Sequence, residues 1–243
     1  MRSLPVTVSL ILIASLVSGC GVTIVNGSGK SITQNRAVAN FQYISLEGLG
    51  DIIITQGATE SLTIEAEDNV MPLIKTEVKN GILSIRFDQK DWKDVIRPTR
   101  PIKFALGVKT LSGVELSGAG NIQAPSLKAN ALTIKISGAG TVKFDKLEAS
   151  DLSTSVSGLG NVELAGSATK QTVDLSGAGQ YLAGDVAGRT AKITLTGGGN
   201  ATVWATDSLD VTINGAGQVS YFTSPKITKS ITGMGVLSPL GPK

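Results

Sequence analysis

The chain has 243 residues, of which 41% are hydrophobic and only 4% aromatic, with 29 glycines, one cysteine and no histidine. The formal net charge of +3 is small for this length, and no concentrated basic stripe indicates a nucleic-acid partner. The lack of histidine excludes Ser-His-Asp and Cys-His catalysis and removes the commonest zinc ligand. We therefore expect no cofactor and no metal site.

The first residues predict export. Arg2 precedes an uncharged apolar stretch, 6–17, which is too short for a membrane-spanning helix. The stretch ends in Val-Ser-Gly-Cys at 17–20, which resembles a bacterial lipobox. We expect residues 1–19 to be a lipoprotein signal peptide and Cys20 to carry the lipid. An ordinary signal peptide followed by a chance cysteine is the alternative.

Several acyl chains on Cys20 would make the membrane a stable partner, since each buried CH₂ contributes about 0.8 kcal/mol. Gly21 follows the cysteine where Asp would be the usual inner-membrane retention signal, so an outer-membrane location is favoured if the source is Gram-negative. Beyond the anchor, we expect a linker at 20–40, a single domain at 41–238 and a tail at 239–243.

A Gly-rich segment at Gly48 resembles one at Gly118, but the two are 70 residues apart. We expect an insertion at about 57–106 between them. Within it, 62–65 is typical of a strand, and Asp68-Asn69 could cap one helical turn through 71–74. Residues 77–86 predict a hairpin with Asn-Gly at its tip.

A charged loop at 88–100 carries Trp92, and another strand is expected near 102–106. We expect the whole insertion to cap the first coils, because an open end of stacked strands invites aggregation.

A Gly-rich motif recurs through the rest of the chain. Ser-Gly-Ala-Gly-Asn-Ile at 117–122 reappears in variants that begin at 137, 157, 176, 196 and 214, with an earlier copy at 47 and a degraded one at 232. From Gly118 onward, the first glycines are 20, 20, 19, 20, 18 and 18 residues apart. Such a fixed period is the mark of a repeat architecture.

Apolar and polar residues alternate on both sides of each glycine corner, which is typical of half-buried strands. Two residues before the first glycine the chain has Leu116, Ile136, Val156, Leu175, Leu195 and Ile213, and four residues after it Ile122, Val142, Val162, Tyr181, Ala201 and Val219. A further inward series lies four residues before the first glycine, and Thr154 interrupts its apolar residues. We therefore expect the Thr154 hydroxyl to bind a backbone group. Beside the corner, an amide ladder is possible through Asn121, Asn161, Gln180, Asn200 and Gln218.

These patterns predict an all-β fold, a parallel β-solenoid of about 18–20 residues per coil, with a capping hairpin and short helix near its N-terminal end. An antiparallel meander or barrel would change strand direction every 8–12 residues. Here the unit is a whole coil with its corner in phase, which favours the solenoid.

Candidate ligand contacts lie outside this core. Short polar side chains on outward positions, among them Lys135, Thr172 and Thr194, could meet a glycan, peptidoglycan or another envelope protein; they could equally be the solvent side of the strands. Trp92 and Trp204 are better single candidates, because aromatic rings dominate recognition energetics.

A carbohydrate-active β-helix enzyme is the alternative function. Glu115 and Asp174 share an outward column three coils apart, which is about 14 Å and too far for a glycosidase pair. The Gly-x-Gly corners are not dinucleotide fingerprints, because no helix follows them.

The segment 44–52, the pair 68–69 followed by 74–83, and the later Ser-Gly-Ala-Gly-Asn series together resemble a bacterial family, the “putative auto-transporter adhesin, head GIN domain” proteins, over roughly 41–236. The resemblance implies an exported all-β solenoid, often a lipoprotein, with an adhesive role and no defined catalytic residues to transfer. We therefore expect a lipid-anchored solenoid with a structural or adhesive role at the cell envelope and no catalysis. Its oligomeric state is left open.

Overall fold

The computed structural model describes residues 24–88 and 95–243, and within these ranges it is all-β with one 3-10 turn and no α-helix. The elements in chain order are β1 (Ile24–Asn26), β2 (Ser31–Arg36), β3 (Tyr43–Leu46), β4 (Asp51–Gln56), β5 (Ser61–Glu67), the 3-10 turn η1 (Met71–Leu73), β6 (Ile74–Lys79), β7 (Ile82–Phe87), β8 (Val95–Arg97), β9 (Lys103–Val108), β10 (Gly113–Leu116), β11 (Ala119–Ala124), β12 (Leu127–Ile136), β13 (Ala139–Val156), β14 (Leu159–Leu175), β15 (Gln180–Ala187), β16 (Thr190–Gly197), β17 (Asn200–Trp204), β18 (Ser208–Gly215), β19 (Gln218–Phe222), β20 (Lys226–Gly233) and β21 (Val236–Gly241).

The strands stack in parallel and in register as a solenoid, which confirms the predicted fold class. The strands that precede the glycine corners form one sheet, which we call the first face: β7, β3, β10, β12, the second halves of β13 and β14, β16, β18 and β20. The strands that follow the corners form the second face: β9, β4, β11, the first halves of β13 and β14, β15, β17, β19 and β21. A short third side at 127–129, 147–149 and 166–168 closes the coil.

The glycine corner joins the first face to the second by direct backbone stacking. The N–H of Ala139 donates to the carbonyl of Gly118 at 3.0 Å, and the N–H of Leu159 donates to the carbonyl of Gly138 at 3.2 Å. A Cβ added at Gly138 would overlap the carbonyl oxygen of Gly118. The corner therefore requires glycine because backbone of one coil lies against backbone of the next.

The predicted inward ladders form the core. The ladder before the corner is 0–1% exposed at Leu116, Ile136, Val156, Leu175, Leu195 and Ile213. The ladder after it is equally buried, and burial raises the pKa of its Tyr181 hydroxyl above the ordinary value of 10.0. Each coil thus buries its apolar residues against the coils above and below it.

Two expected polar arrangements are wrong. The buried Thr154 hydroxyl binds no backbone group, because the backbone groups around it already pair between coils; the polar group beside it is the Tyr181 hydroxyl. The amide ladder does not form either, although Asn161, Gln180, Asn200 and Gln218 do align in register. Thr141 interrupts the column, and Asn121 donates instead to Asp51 at 2.8 Å.

The insertion builds the N-terminal end of the stack. β6 and β7 form the predicted hairpin, with Asn80 (φ 52°) and Gly81 (φ 77°) in the left-handed conformation that its tight turn requires. On the second face, β5 pairs antiparallel with β9, and β2 pairs antiparallel with β5. The first coil is therefore covered on both faces.

The predicted helical turn is a 3-10 turn over Met71–Leu73, and its cap is not the expected one. Val70 is the N-cap and makes no side-chain capping bond. Asp68 and Asn69 instead hold the β1–β2 connection, since both accept hydrogen bonds from Ser28. That partner lies 40 residues away in sequence, so local capping rules could not predict it.

Two strands lie where the sequence predicted a linker at 20–40: β1 pairs with β8, and β2 with β5. β21 likewise extends into the segment 239–243 predicted as a tail. Cys20 and Trp92 lie outside the described residues, and so does the signal peptide at 1–19.

A buried carboxylate fastens the N-terminal segment to the stack. Glu67, at the end of β5, accepts hydrogen bonds from the Thr99 hydroxyl and from the N–H groups of Gly29 and Thr99, the last at 2.9 Å. The Thr99 hydroxyl, aided by these N–H groups, holds the pKa of the Glu67 carboxyl below its ordinary value of 4.5.

We predict that this attachment weakens in acid. A carboxyl whose pKa is lowered by folding stabilises the folded state above its unfolded value of 4.5, and this contribution is lost as the pH falls through the folded pKa. Hydrogen exchange at Gly29 and Thr99, corrected for intrinsic rates, should accelerate in that range. Glu67→Gln should lower protection at neutral pH and abolish the acid step, whereas Glu65→Gln should retain it. An unchanged acid step in Glu67→Gln would contradict the assignment.

Candidate binding surface

The structure separates the candidate contact residues onto two different faces. Lys135, Thr172 and Thr194 lie on the outer side of the first face, and Trp204 lies on the outer side of the second. They therefore do not form one site.

The first face carries two straight outward columns of short polar and charged side chains. One column runs through Lys135, Ser155, Asp174, Thr194 and Thr212. Its spacing is the inter-strand distance of about 4.8 Å. Opposite charges and hydroxyl groups alternate along it, which is also what a solvated sheet face requires, so ligand contact here stays a prediction.

Trp204 and Phe222 form an aromatic pair on the second face. They are register partners on the neighbouring strands β17 and β19, and both side chains are half-buried. Gly184 makes room for the pair, since a Cβ there would lie 2.9 Å from the Phe222 ring. The absence of a side chain at Gly184 thus allows Phe222 to lie along the sheet.

The C-terminal residue covers this pair. The Lys243 ammonium lies 4.3 Å from the Phe222 ring centroid and 6.0 Å from the Trp204 centroid, within cation–π range. It also pairs with the Asp185 carboxylate at 2.6 Å. The aromatic surface therefore has a cation and a carboxylate at its border.

A buried glutamine supports Trp204 from the core. Gln171 occupies an inward position and is 0% exposed; it accepts a hydrogen bond from the Tyr181 hydroxyl at 2.9 Å and donates to the carbonyl of Trp204 at 3.4 Å. The indole N–H of Trp204 is buried and has no acceptor in the described part of the chain.

Sequence reasoning missed Gln171, although its repeat position was readable. It lies in register with Leu152 below and Ala191 above, so following the inward ladder two residues further from the corner would have identified it.

A shallow depression of about 340 Å³ adjoins the aromatic pair through Asp185. Its rim carries the carboxylates of Asp145 and Glu163, which lie 3.8 and 4.0 Å from the Lys143 ammonium. Leu182, 39% exposed, provides an apolar surface beside them. Together the pair and the depression offer aromatic rings, carboxylates and two ammonium groups on the second face, which we call the Trp204 surface.

The described residues offer little for other chemistry. They contain no group of three or more His, Cys, Asp or Glu side chains placed to hold a metal ion. No helix among them has the length and hydrophobicity needed to cross a membrane.

Glu115 and Asp174 are three coils apart in one column, as expected. Glu115 accepts a hydrogen bond from the Tyr43 hydroxyl at 3.2 Å. Burial, together with the neighbouring Glu115 carboxylate, raises the pKa of Tyr43 to about 12.

Comparison with known proteins gives a family and similar solved structures. The family model described as “Putative auto-transporter adhesin, head GIN domain” matches residues 40–225. A structure named as a putative adhesin from Bacteroides fragilis is 28% identical with a TM-score of 0.84, and the match covers 89% of this chain and 100% of that one.

Two structures from Parabacteroides species show the same fold at lower identity. One, from Parabacteroides distasonis, is named as a putative lipid binding protein and is 22% identical with a TM-score of 0.67, covering 90% of this chain and 100% of that one. The other, from Parabacteroides merdae, is named as a putative adhesin and is 23% identical with a TM-score of 0.67, covering 90% and 99%. No curated protein matches the chain.

Proposed function

Because the chain belongs to the family “Putative auto-transporter adhesin, head GIN domain”, we propose that it is a non-catalytic adhesive protein of the cell envelope. In this proposal a lipid on Cys20 holds it to a membrane, and the Trp204 surface contacts its ligand. The structure named as an adhesin from Bacteroides fragilis supports the adhesive role, since it shares this fold across 89% of the chain.

The proposed anchor rests on the lipobox-like sequence before Cys20, and the geometry is compatible with it. The described chain begins at Ile24 in β1, and Glu67 binds the segment that follows β1 beside β5, at the covered end of the stack. An anchor four residues before Ile24 would hold this end near the lipid. The stack of coils would then project the last coil away from the membrane.

Aromatic contact carries the binding proposal. Half-buried aromatic rings supply large contact area at low conformational cost, and Trp is enriched among energetically dominant contact residues. The adjacent carboxylates of Asp145 and Glu163 could accept hydrogen bonds from hydroxyl groups, and Leu182 offers an apolar contact. This combination suits a glycan, and we propose a glycan of the envelope or extracellular matrix, peptidoglycan included, as the ligand.

The enzyme alternative has less support. Lys143 lies within 4.0 Å of both carboxylates at the rim of the depression, so these groups form a surface ion-pair network. The Glu115 and Asp174 positions are about 14 Å apart by strand spacing, beyond the separation that glycoside hydrolysis uses. Neither arrangement favours catalysis.

Cys20→Ala should release the protein from membranes. Without the thiol no lipid can be attached, and the described residues provide no spanning helix to replace it. Fractionation of cells that express the variant should move the protein from the membrane pellet to the soluble fraction. Cys20→Ala that stays with membranes through high-salt washing would refute the anchor.

Trp204→Ala should weaken glycan binding by about thirtyfold, the effect typical of an interface hot spot. The measurement is a glycan-array and peptidoglycan pull-down screen with the purified protein, followed by titration of the best binder. Thr194→Ala and Lys135→Ala, on the first face, are the controls and should bind normally.

Loss of binding in those controls with normal binding by Trp204→Ala would transfer the site to the first face. Binding to proteins but to no glycan would refute the proposed ligand class. Reproducible turnover of a polysaccharide would overturn the non-catalytic role.

A further inference from the structure

Among the described residues, the last coil of the solenoid consists of β20 and β21. β20 pairs with β18, and β21 pairs with β19; within residues 24–88 and 95–243 no strand lies on their other side. Every residue of β20 is exposed. β21 contains Pro239, which has no N–H to donate, whereas β20 contains no proline. β20 is therefore the edge better able to pair with another strand.

The free backbone groups of β20 belong to alternate residues. The N–H of Lys226 donates to Asp207 at 2.9 Å, toward β18. Successive residues of an extended strand direct their backbone groups to opposite sides. The N–H and C=O groups of Ile227, Lys229 and Ile231 therefore point to the open edge, where a further strand could bind them.

The side chains of the same three residues occupy the inward positions of the last coil. Ile227 and Ile231 are each 37% exposed, and they continue ladders whose members one coil below are 0% exposed. Those covered residues are Leu209, Val211 and Ile213. An added strand would cover the two isoleucines in the same way.

Lys229 decides which strand fits. It lies directly above Val211, so it introduces a cation into an otherwise apolar ladder. The segment 226–243 contains three lysines and no Asp or Glu. A carboxylate at the matching position of an added strand would pair with Lys229, and apolar residues on either side of it would cover Ile227 and Ile231.

Other occupants fit less well. Two copies of β20 paired about a two-fold axis through Lys229 would place the two ammonium groups opposite each other, and like charges in this position are destabilising. A bilayer would leave the edge N–H and C=O groups without partners in hydrocarbon. Inward lysines on edge strands are a known protection against self-association.

We propose that β20 is a docking edge for an extended segment of a partner protein. Every second residue of that segment faces the same side as Ile227, Lys229 and Ile231, and these residues are apolar, acidic and apolar in turn. The partner segment adds one strand to the first face, with its carboxylate on Lys229 and its apolar residues on Ile227 and Ile231. This inference goes beyond the proposed function, because it concerns the end of the stack and not the Trp204 surface.

The test uses a labelled peptide, Thr-Ile-Thr-Glu-Thr-Ile-Thr with blocked ends, titrated into the purified protein by fluorescence anisotropy. The same peptide with Lys in place of Glu should bind about tenfold more weakly, because an opposite-charge pair becomes a like-charge pair. Lys229→Glu should reverse this preference. That variant should melt at the temperature of the parent protein and should keep its binding to any ligand of the Trp204 surface.

Hydrogen exchange shows where the peptide binds. The amides of Ile227, Lys229 and Ile231 should gain protection, while those of Thr228 and Ser230 should change little because they already face β18. Equal affinity for the two peptides, or no reversal in Lys229→Glu, would overturn the proposal. A wild-type dimer that protects the same three amides, or an absence of binding at millimolar peptide, would overturn it too.

Discussion

The whole structure depends on one backbone hydrogen bond that recurs at five glycine corners along the stack. The residue after the first glycine donates its N–H to the glycine carbonyl of the coil below, as Ala119 does to Gly48, Ala139 to Gly118 and Ala216 to Gly197, at 2.8 to 3.0 Å. This approach leaves no space for a Cβ on the upper glycine. Since the corner fixes the phase of each coil, the aliphatic ladders on both faces align and bury one another.

The repeat made most of the fold predictable, because one set of positions is sampled coil after coil. Corner glycines, inward aliphatic residues and outward columns all lie where the period placed them. The structure departs from the predicted pattern where a residue type occurs in only one coil of a ladder. Thr154 and Gln171 are single polar substitutions in apolar ladders: Gln171 accepts a hydrogen bond from the Tyr181 hydroxyl, whereas Thr154 has no backbone partner. The pairing of β2 with β5, and the contacts of Asp68, join segments far apart in a region with no repeat, so no period could indicate them.

The Trp204 surface was only partly predictable for the same reason. The alternation pattern places Trp204 outside the core, but its partner Phe222 is recognised only through the register of β17 and β19. Lys243 reaches the pair from the end of the chain, and Asp185 lies at a register shift in β15 that the regular period does not describe. The ends of the stack also differ: antiparallel strands cover the first coil, while β20 is exposed along its length. A protein held at the covered end would present its side surface and open edge to the surroundings.

The central claim, that the corner is a backbone-to-backbone contact, is tested most directly by urea denaturation of two alanine variants. Gly138→Ala places a Cβ against the carbonyl of Gly118 and should lower the free energy of unfolding by about 3 kcal/mol. Gly198→Ala adds a Cβ at a corner position where that atom would have no neighbour within 4 Å. This substitution should leave the free energy of unfolding unchanged or raise it by about 0.5 kcal/mol. Equal effects of the two substitutions would contradict the account.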